Sequence, residues 1–132
     1  MRASIVGAVT VQRLKWGAGI QDLVGSFCGA AYYCRFSADK NGDEERKKKI
    51  EEIGQLRHLI PLNLCERTPI ELEVEKLVEK IFSMSCGSSP GPDEDFRATL
   101  LKLVQKTKDL LRDNWQSAVR EAERGTLDAP PW

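Results

Sequence analysis

His58 is the only histidine in the chain, so any Ser/His or Cys/His nucleophile, and any histidine-bearing metal site, has to pass through it. It sits in Leu56-Arg57-His58-Leu59 near the end of a helical pattern. There a surface or capping imidazole beside the negative end of the helix dipole is the ordinary role. The four cysteines, Cys28, Cys34, Cys65 and Cys86, form no C-x-x-C pair, and a zinc site would have to gather His58, Cys65, Cys86 and a carboxylate from separate elements. Cys65 and Cys86 flank opposite ends of one predicted helix, a separation that disfavours a disulfide between them. Free thiols are the expectation. Gly87-Ser88-Ser89-Pro90-Gly91 lacks the lysine and the preceding strand of a phosphate-cradling loop. These residue types point to no catalytic set, no metal and no cofactor, and so to a non-enzymatic protein.

The elements that would carry these residues are helical. A pattern starting near Asp43 puts Ile50, Ile53, Leu56 and Ile60 on one side before Pro61 stops it, predicting a helix over about 43–60. Its run Arg46-Lys47-Lys48-Lys49 reads as a solvated face, because Glu44 with Lys48 and Glu45 with Lys49 are acid-first i,i+4 pairs. The second helix, about 69–85, has the best local start. Thr68-Pro69-Ile70-Glu71 supplies a hydroxyl N-cap, a proline at N1 and a glutamate at N3 to return the capping bond. Ile70, Val74, Leu77, Val78 and Ile81 form its apolar face, and Glu71, Glu75 and Glu79 form an acidic ridge. The third helix, about 92–124, opens with Asp93, Glu94 and Asp95, which suit the positive end of the dipole, and closes at Gly125. Phe96, Leu100, Leu103, Leu110, Leu111, Trp115, Ala118 and Ala122 recur along it by threes and fours. The tail Thr126 to Trp132, ending Ala129-Pro130-Pro131-Trp132, reads as an extended arm.

Residues 1–36 follow different rules. They hold one acid, Asp22, against Arg2, Arg13, Lys15 and Arg35, whereas charge is dense and mixed beyond Ser37. An acid-poor, Arg-bearing start is the composition of a mitochondrial targeting presequence. Arg35-Phe36-Ser37-Ala38 resembles the matrix-protease processing pattern, with Arg two places before the cut, and lies where the composition changes. Residues 1–36 are therefore expected to be unstructured or cleaved, which would remove Cys28 and Cys34 from the mature chain. Three other readings compete. A secretory signal has its cationic start and apolar run in Arg2 and Ala3 to Val11, but Gln12-Arg13-Leu14-Lys15 stands where the cleavage site should be. A membrane anchor needs about 20 apolar residues, and Leu23 to Cys34 provides fewer. The last is that these residues belong to the fold, with Ala30-Ala31-Tyr32-Tyr33 as a buried segment.

The expected architecture is an all-α, small three-helix arrangement: a helical hairpin with a long C-terminal helix, in a domain spanning residues 37–125. The 132 residues amount to one domain at most, and 20 basic against 20 acidic residues give no whole-protein attraction to nucleic acid or membrane. About 32 residues of the third helix reach ~48 Å, against ~26 Å for about 17 residues of the second. A hairpin of those two leaves apolar surface uncovered, so Phe96, Leu103, Leu110, Leu111 and Trp115, with Trp132 of the tail, are candidate contacts for a protein partner or for self-association through helix 92–124. The alternative is that the third helix kinks after Leu111 and Trp115 folds back onto the same core.

These features together suggest an assembly factor or minor subunit of a mitochondrial complex, in the matrix or associated with the inner membrane, and without a membrane span. The alternative is nuclear or cytoplasmic. The order Leu56, Leu59, Thr68, Val74, Leu77, then Leu111 with Trp115 distantly resembles the N-terminal helical domain of transcription elongation factor S-II. That family's basic Leu-Arg-Lys-His stretch is absent here, and Gly87 to Pro92 interrupts the region. The resemblance implies a nuclear helical interaction module, with Arg46 to Lys49 as its import signal.

Overall fold

The computed structural model describes residues 2–37, 42–64, 66–87 and 90–124. They form α1 (Arg2–Phe36), α2 (Asp43–Leu62), α3 (Pro69–Cys86) and α4 (Asp93–Arg124), and no strand occurs among the described residues. The all-α class is as expected from sequence, but the helices number four. Residues 2–36, expected to be unstructured or cleaved, form a 35-residue helix. Tail residues 126–132, including Trp132, and Cys65 lie outside the described residues.

Thr68 caps α3 as its sequence indicates: the Glu71 amide donates to Thr68 Oγ1 at 3.3 Å, with Pro69 in the first turn. The expected return bond to the cap backbone takes another form, since the Thr68 hydroxyl donates to Glu71 Oε2 at 3.3 Å. Helix α2 runs two residues past its predicted end and contains Pro61. A proline in the last turn forfeits a single backbone bond, and the Asn63 amide then closes the helix onto the carbonyls of Leu59 and Ile60.

The helices alternate in direction. Arg35 of α1 meets Asp93 at the start of α4, whereas Arg13 meets Glu121 near its end, so α1 and α4 are antiparallel. Trp16 bonds Asn63 just after α2, and Tyr33 lies against Lys49 near its start. Arg57 of α2 pairs with Glu79 of α3, and Lys106 of α4 pairs with Glu73 of α3. The result is an up-down-up-down bundle. Helices α1 and α3 touch each other and both of the others, while α2 and α4 do not meet.

Helix α1 thus lies at the centre of the packing. Ile20, Val24, Phe27, Ala30 and Ala31 are buried with Ile53, Leu56 and Ile60 of α2, Val74, Val78, Ile81 and Met84 of α3, and Phe96, Leu103 and Leu110 of α4. Helix α1, longer still, runs beside α4, and Phe96, Leu103, Leu110 and Ala118 of the α4 stripe are buried while Trp115 stays exposed. No kink after Leu111 is required, since α4 is continuous from Asp93 to Arg124.

Candidate functional site

A cavity of about 470 Å³ opens between α1, α4 and the start of α3, within the usual size range of small-ligand pockets. Gln12, Arg13 and Trp16 line it from α1, Glu66 from the α2–α3 connection, Thr68 to Glu71 from the α3 start, and Leu110, Asp113, Asn114 and Ser117 from α4. Gly17 lies against α4 beside it: a Cβ there would come within 3.0 Å of Asn114 Nδ2 and 3.4 Å of Leu111 Cδ2, both side-chain ends. Asn114 Nδ2 donates to the Arg13 carbonyl at 2.8 Å, and Trp16 Nε1 donates to the Asn63 carbonyl at 2.7 Å. The indole N–H of Trp16 is therefore occupied, and its ring contributes apolar surface to the cavity wall.

Two buried charged groups define the electrostatics. Arg13 Nε donates to both carboxylate oxygens of Glu121 at 3.0 and 3.1 Å, and Glu121 is fully buried. Such a fork-on-carboxylate pair matches charge with geometry. Glu71 is different. It is 2 % exposed, and its Oε1 is buried without a hydrogen-bond partner. Burial pushes its carboxyl above the ordinary range, and the nearby Glu66 charge acts in the same direction. The Thr68 hydroxyl and the backbone of Glu66 and Arg67 oppose the shift without cancelling it. Arg67, in the chain leading to the cap, adopts a left-handed φ of 53°, a conformation uncommon for a side-chain-bearing residue.

The residues singled out from sequence are not brought together. Phe96, Leu103 and Leu110 are buried in the bundle and Leu111 packs against its core, so only Trp115 of the described candidates, 56 % exposed, offers a large surface. Alongside it, Leu101 (70 % exposed) and Val104 continue one flank of α4. Arg35, read as part of a processing pattern, has a structural task. Its guanidinium donates to the carbonyls of Met84 and Gly91 at 2.8 and 2.7 Å, to that of Pro90, and to Asp93 Oδ1. It also lies over the Phe96 ring at 4.9 Å, while Phe36 packs edge-on against Phe96 at 5.6 Å. Ser37 closes α1 by donating its amide to the Tyr33 carbonyl. His58 is exposed on α2. The acidic ridge does not form one surface, because Glu71 turns inward and Glu79 pairs with Arg57 at 2.8 Å.

Sequence reasoning missed Arg13, Trp16 and Asn114 as cavity residues and Glu71 as a buried carboxylate. Arg13 and Trp16 lay in the segment set aside as a leader, and Glu71 already had a role at the cap. Among the described residues no group of three or more His, Cys, Asp and Glu side chains is placed to hold a metal, and no helix is long and apolar enough to cross a membrane. No protein-family model, curated protein or solved structure matches the chain.

Proposed function

We propose that the chain is a non-enzymatic helical accessory protein, an assembly factor or minor subunit of a mitochondrial complex, that works by binding a protein partner along α4. The observation that carries this reading is the second apolar flank of α4. Leu101, Val104, Leu111 and Trp115 follow one another at i, i+3, i+10 and i+14, a stripe of ~21 Å on one side of the helix. Leu101, Val104 and Trp115 are exposed even though α1 covers the neighbouring stripe. Exposed apolar side chains on one side of a helix mark interaction sites, and large aromatic side chains are the usual anchors of such contacts. On α1, the exposed Val11 and Leu14 occupy the turns preceding Gly17, the segment that runs beside this half of α4. The mitochondrial address rests on the acid-poor, Arg-bearing composition of residues 1–36.

The retention of α1 is part of the same proposal. Removing residues 1–36 would strip Ile20, Val24, Phe27, Ala30 and Ala31 from the core, each large apolar side chain among them contributing about 1.5–3 kcal/mol by burial. A partner captured with the tagged full-length chain is expected to be lost, at least tenfold, on the double substitution Leu101→Glu with Trp115→Glu. The melting temperature should stay within a few degrees, because neither side chain is buried. Equal recovery of the partner by the double variant would contradict an α4 interface.

A further inference from the structure

We propose that the groove between the outer flanks of α1 and α4 takes one amphipathic helix of a partner protein, and that this helix carries a carboxylate in the middle of its apolar stripe to meet Lys108. The proposal rests on the α4 interface described above and names what binds there. The outer flank of α4 alternates by threes and fours through Leu101, Val104, Lys108, Leu111 and Trp115, all exposed except the half-buried Leu111. Such an alternation is the seam of a helix–helix contact. It is a second seam, because Phe96, Leu103 and Leu110 already face the core.

Helix α1 carries a matching seam. Val11, Leu14, Ala18, Gln21 and Gly25 follow the same alternation, are exposed, and include no charged residue. Contacts at two levels show that the two seams border one groove. Leu111 Cδ2 lies 3.4 Å from where a Cβ of Gly17 would stand, and Gly17 is one turn from Leu14 and next to Ala18. Toward the other end the Arg97 guanidinium, one turn before Leu101, lies over the Phe36 ring at 5.0 Å. Phe36 in turn packs at 4.7 Å on the exposed Tyr32, two turns beyond Gly25. A Cβ at Gly25 would meet nothing within 4 Å, so another backbone can approach closely there.

Lys108 selects the occupant. It stands midway between Leu101 and Trp115, and the residues one turn away on its own helix, Val104, Gln105, Leu111 and Arg112, include no acid. It forms no ion pair among the described residues. Asp22, the one acid of α1, follows Gln21 and lies off the seam. A lysine at the centre of a helix seam is costly to cover unless the partner brings the opposite charge, and it thereby sets partner and register. A second copy of this chain is disfavoured, since a two-fold axis through the middle of the stripe would set Lys108 against its own mate.

Two fluorescein-labelled peptides of about 21 residues, ~32 Å as a helix, test this on the full-length chain. Both have Leu at the seam positions and Ala, Glu and Lys elsewhere. One has Glu and the other Lys at the central seam position, with the opposite exchange on the outer face to keep net charge equal. By fluorescence anisotropy the Glu peptide is expected to saturate with Kd of about 10 μM or tighter, at least tenfold tighter than the Lys peptide. Lys108→Glu should reverse that order, and Ala18→Glu, on α1, should weaken the Glu peptide at least tenfold. Both side chains are exposed, so melting temperatures should stay within a few degrees. No saturable binding of the Glu peptide, equal affinity of the two peptides, an order unchanged by Lys108→Glu, or full affinity in Ala18→Glu would each overturn the proposal. So would a dimeric parent chain that Ala18→Glu makes monomeric, which would give the groove to a second copy. If the peptides fail while Leu101→Glu with Trp115→Glu still loses the captured partner, the groove proposal alone falls. A partner kept by that double variant overturns the α4 interface itself.

Discussion

Glu71 occupies the third position of α3, where a glutamate ordinarily reaches back to the cap, and from there its carboxylate enters the bundle. One oxygen is bonded by the Thr68 hydroxyl and the other has no hydrogen-bond partner. The sign of its effect on stability follows from the raised pKa. Above the ordinary value of 4.5 the unfolded chain has lost this proton while the folded chain still holds it. Folding stability contributed by this group therefore falls as pH rises through that window, and the penalty is complete once the folded carboxyl ionises. Glu71→Gln removes the titration, so the variant is expected to gain on the parent as pH rises from 4 to 8, with the two converging at the acid end. Melting curves across that range check it, and an advantage that is constant or grows toward acid would contradict the burial of an ionisable group here. Cys28 is shifted by the same cause in its own chemistry: burial pushes its thiol up to about 11, which leaves little reactive thiolate at neutral pH.

At the scale of elements, the bundle depends on how α1 is fastened at both ends. Near its start Arg13 is locked to Glu121, and at its finish Arg35 gathers the carbonyls of the α3–α4 connection and the first carboxylate of α4. The Arg35 side chain is 9 % exposed although Asp93 is more than half exposed. The bonds that matter are thus those to the backbone, which would otherwise lose their donor. Arg35→Gln is expected to cost about 2 kcal/mol and lower the melting temperature by several degrees. Lys47→Gln, on an exposed face of α2, should change stability by less than about 0.5 kcal/mol. Denaturant titration of both variants measures this, and equal effects would contradict the role given to Arg35.

How far the elements were legible follows from how each is packed. Helix α3 starts where Thr68-Pro69 indicates, and α4 spans Asp93–Arg124 against about 92–124 from its stripe, because each buries one face and shows it as a 3.6-residue period. Helix α1 also buries one face, with Arg13, Gly17, Ile20, Val24, Phe27 and Ala31 at spacings of three and four, but a charged residue and a glycine stand on it, and the apolar Val11, Leu14 and Leu23 lie off it, so the period is blurred. Gly17 sits on that buried face, against the ends of the Asn114 and Leu111 side chains of α4. The inward turn of Glu71 shows in its spacing, three residues before Val74 and seven before Val78 on the buried face of α3, but its capping position already accounted for it.

The whole molecule is an up-down-up-down bundle in which the segment with the least ordinary composition does the central packing. At 132 residues the chain can hold only a modest margin of stability, of order 5–15 kcal/mol. Loss of α1 would remove burial comparable with that whole margin, about 5–9 kcal/mol from Ile20, Val24 and Phe27 alone, which like Ala30 and Ala31 are nearly inaccessible in the bundle. The α4 flank, the cavity at Glu71 and the Arg35 fastening exist together only while α1 is in place. Amide hydrogen exchange on the purified full-length chain tests this most directly. Residues 20–31 are expected to exchange as slowly as the cores of α3 and α4 and to open with them in one cooperative step. Exchange of 20–31 at the rate of an unfolded peptide, while α3 and α4 remain protected, would contradict the account.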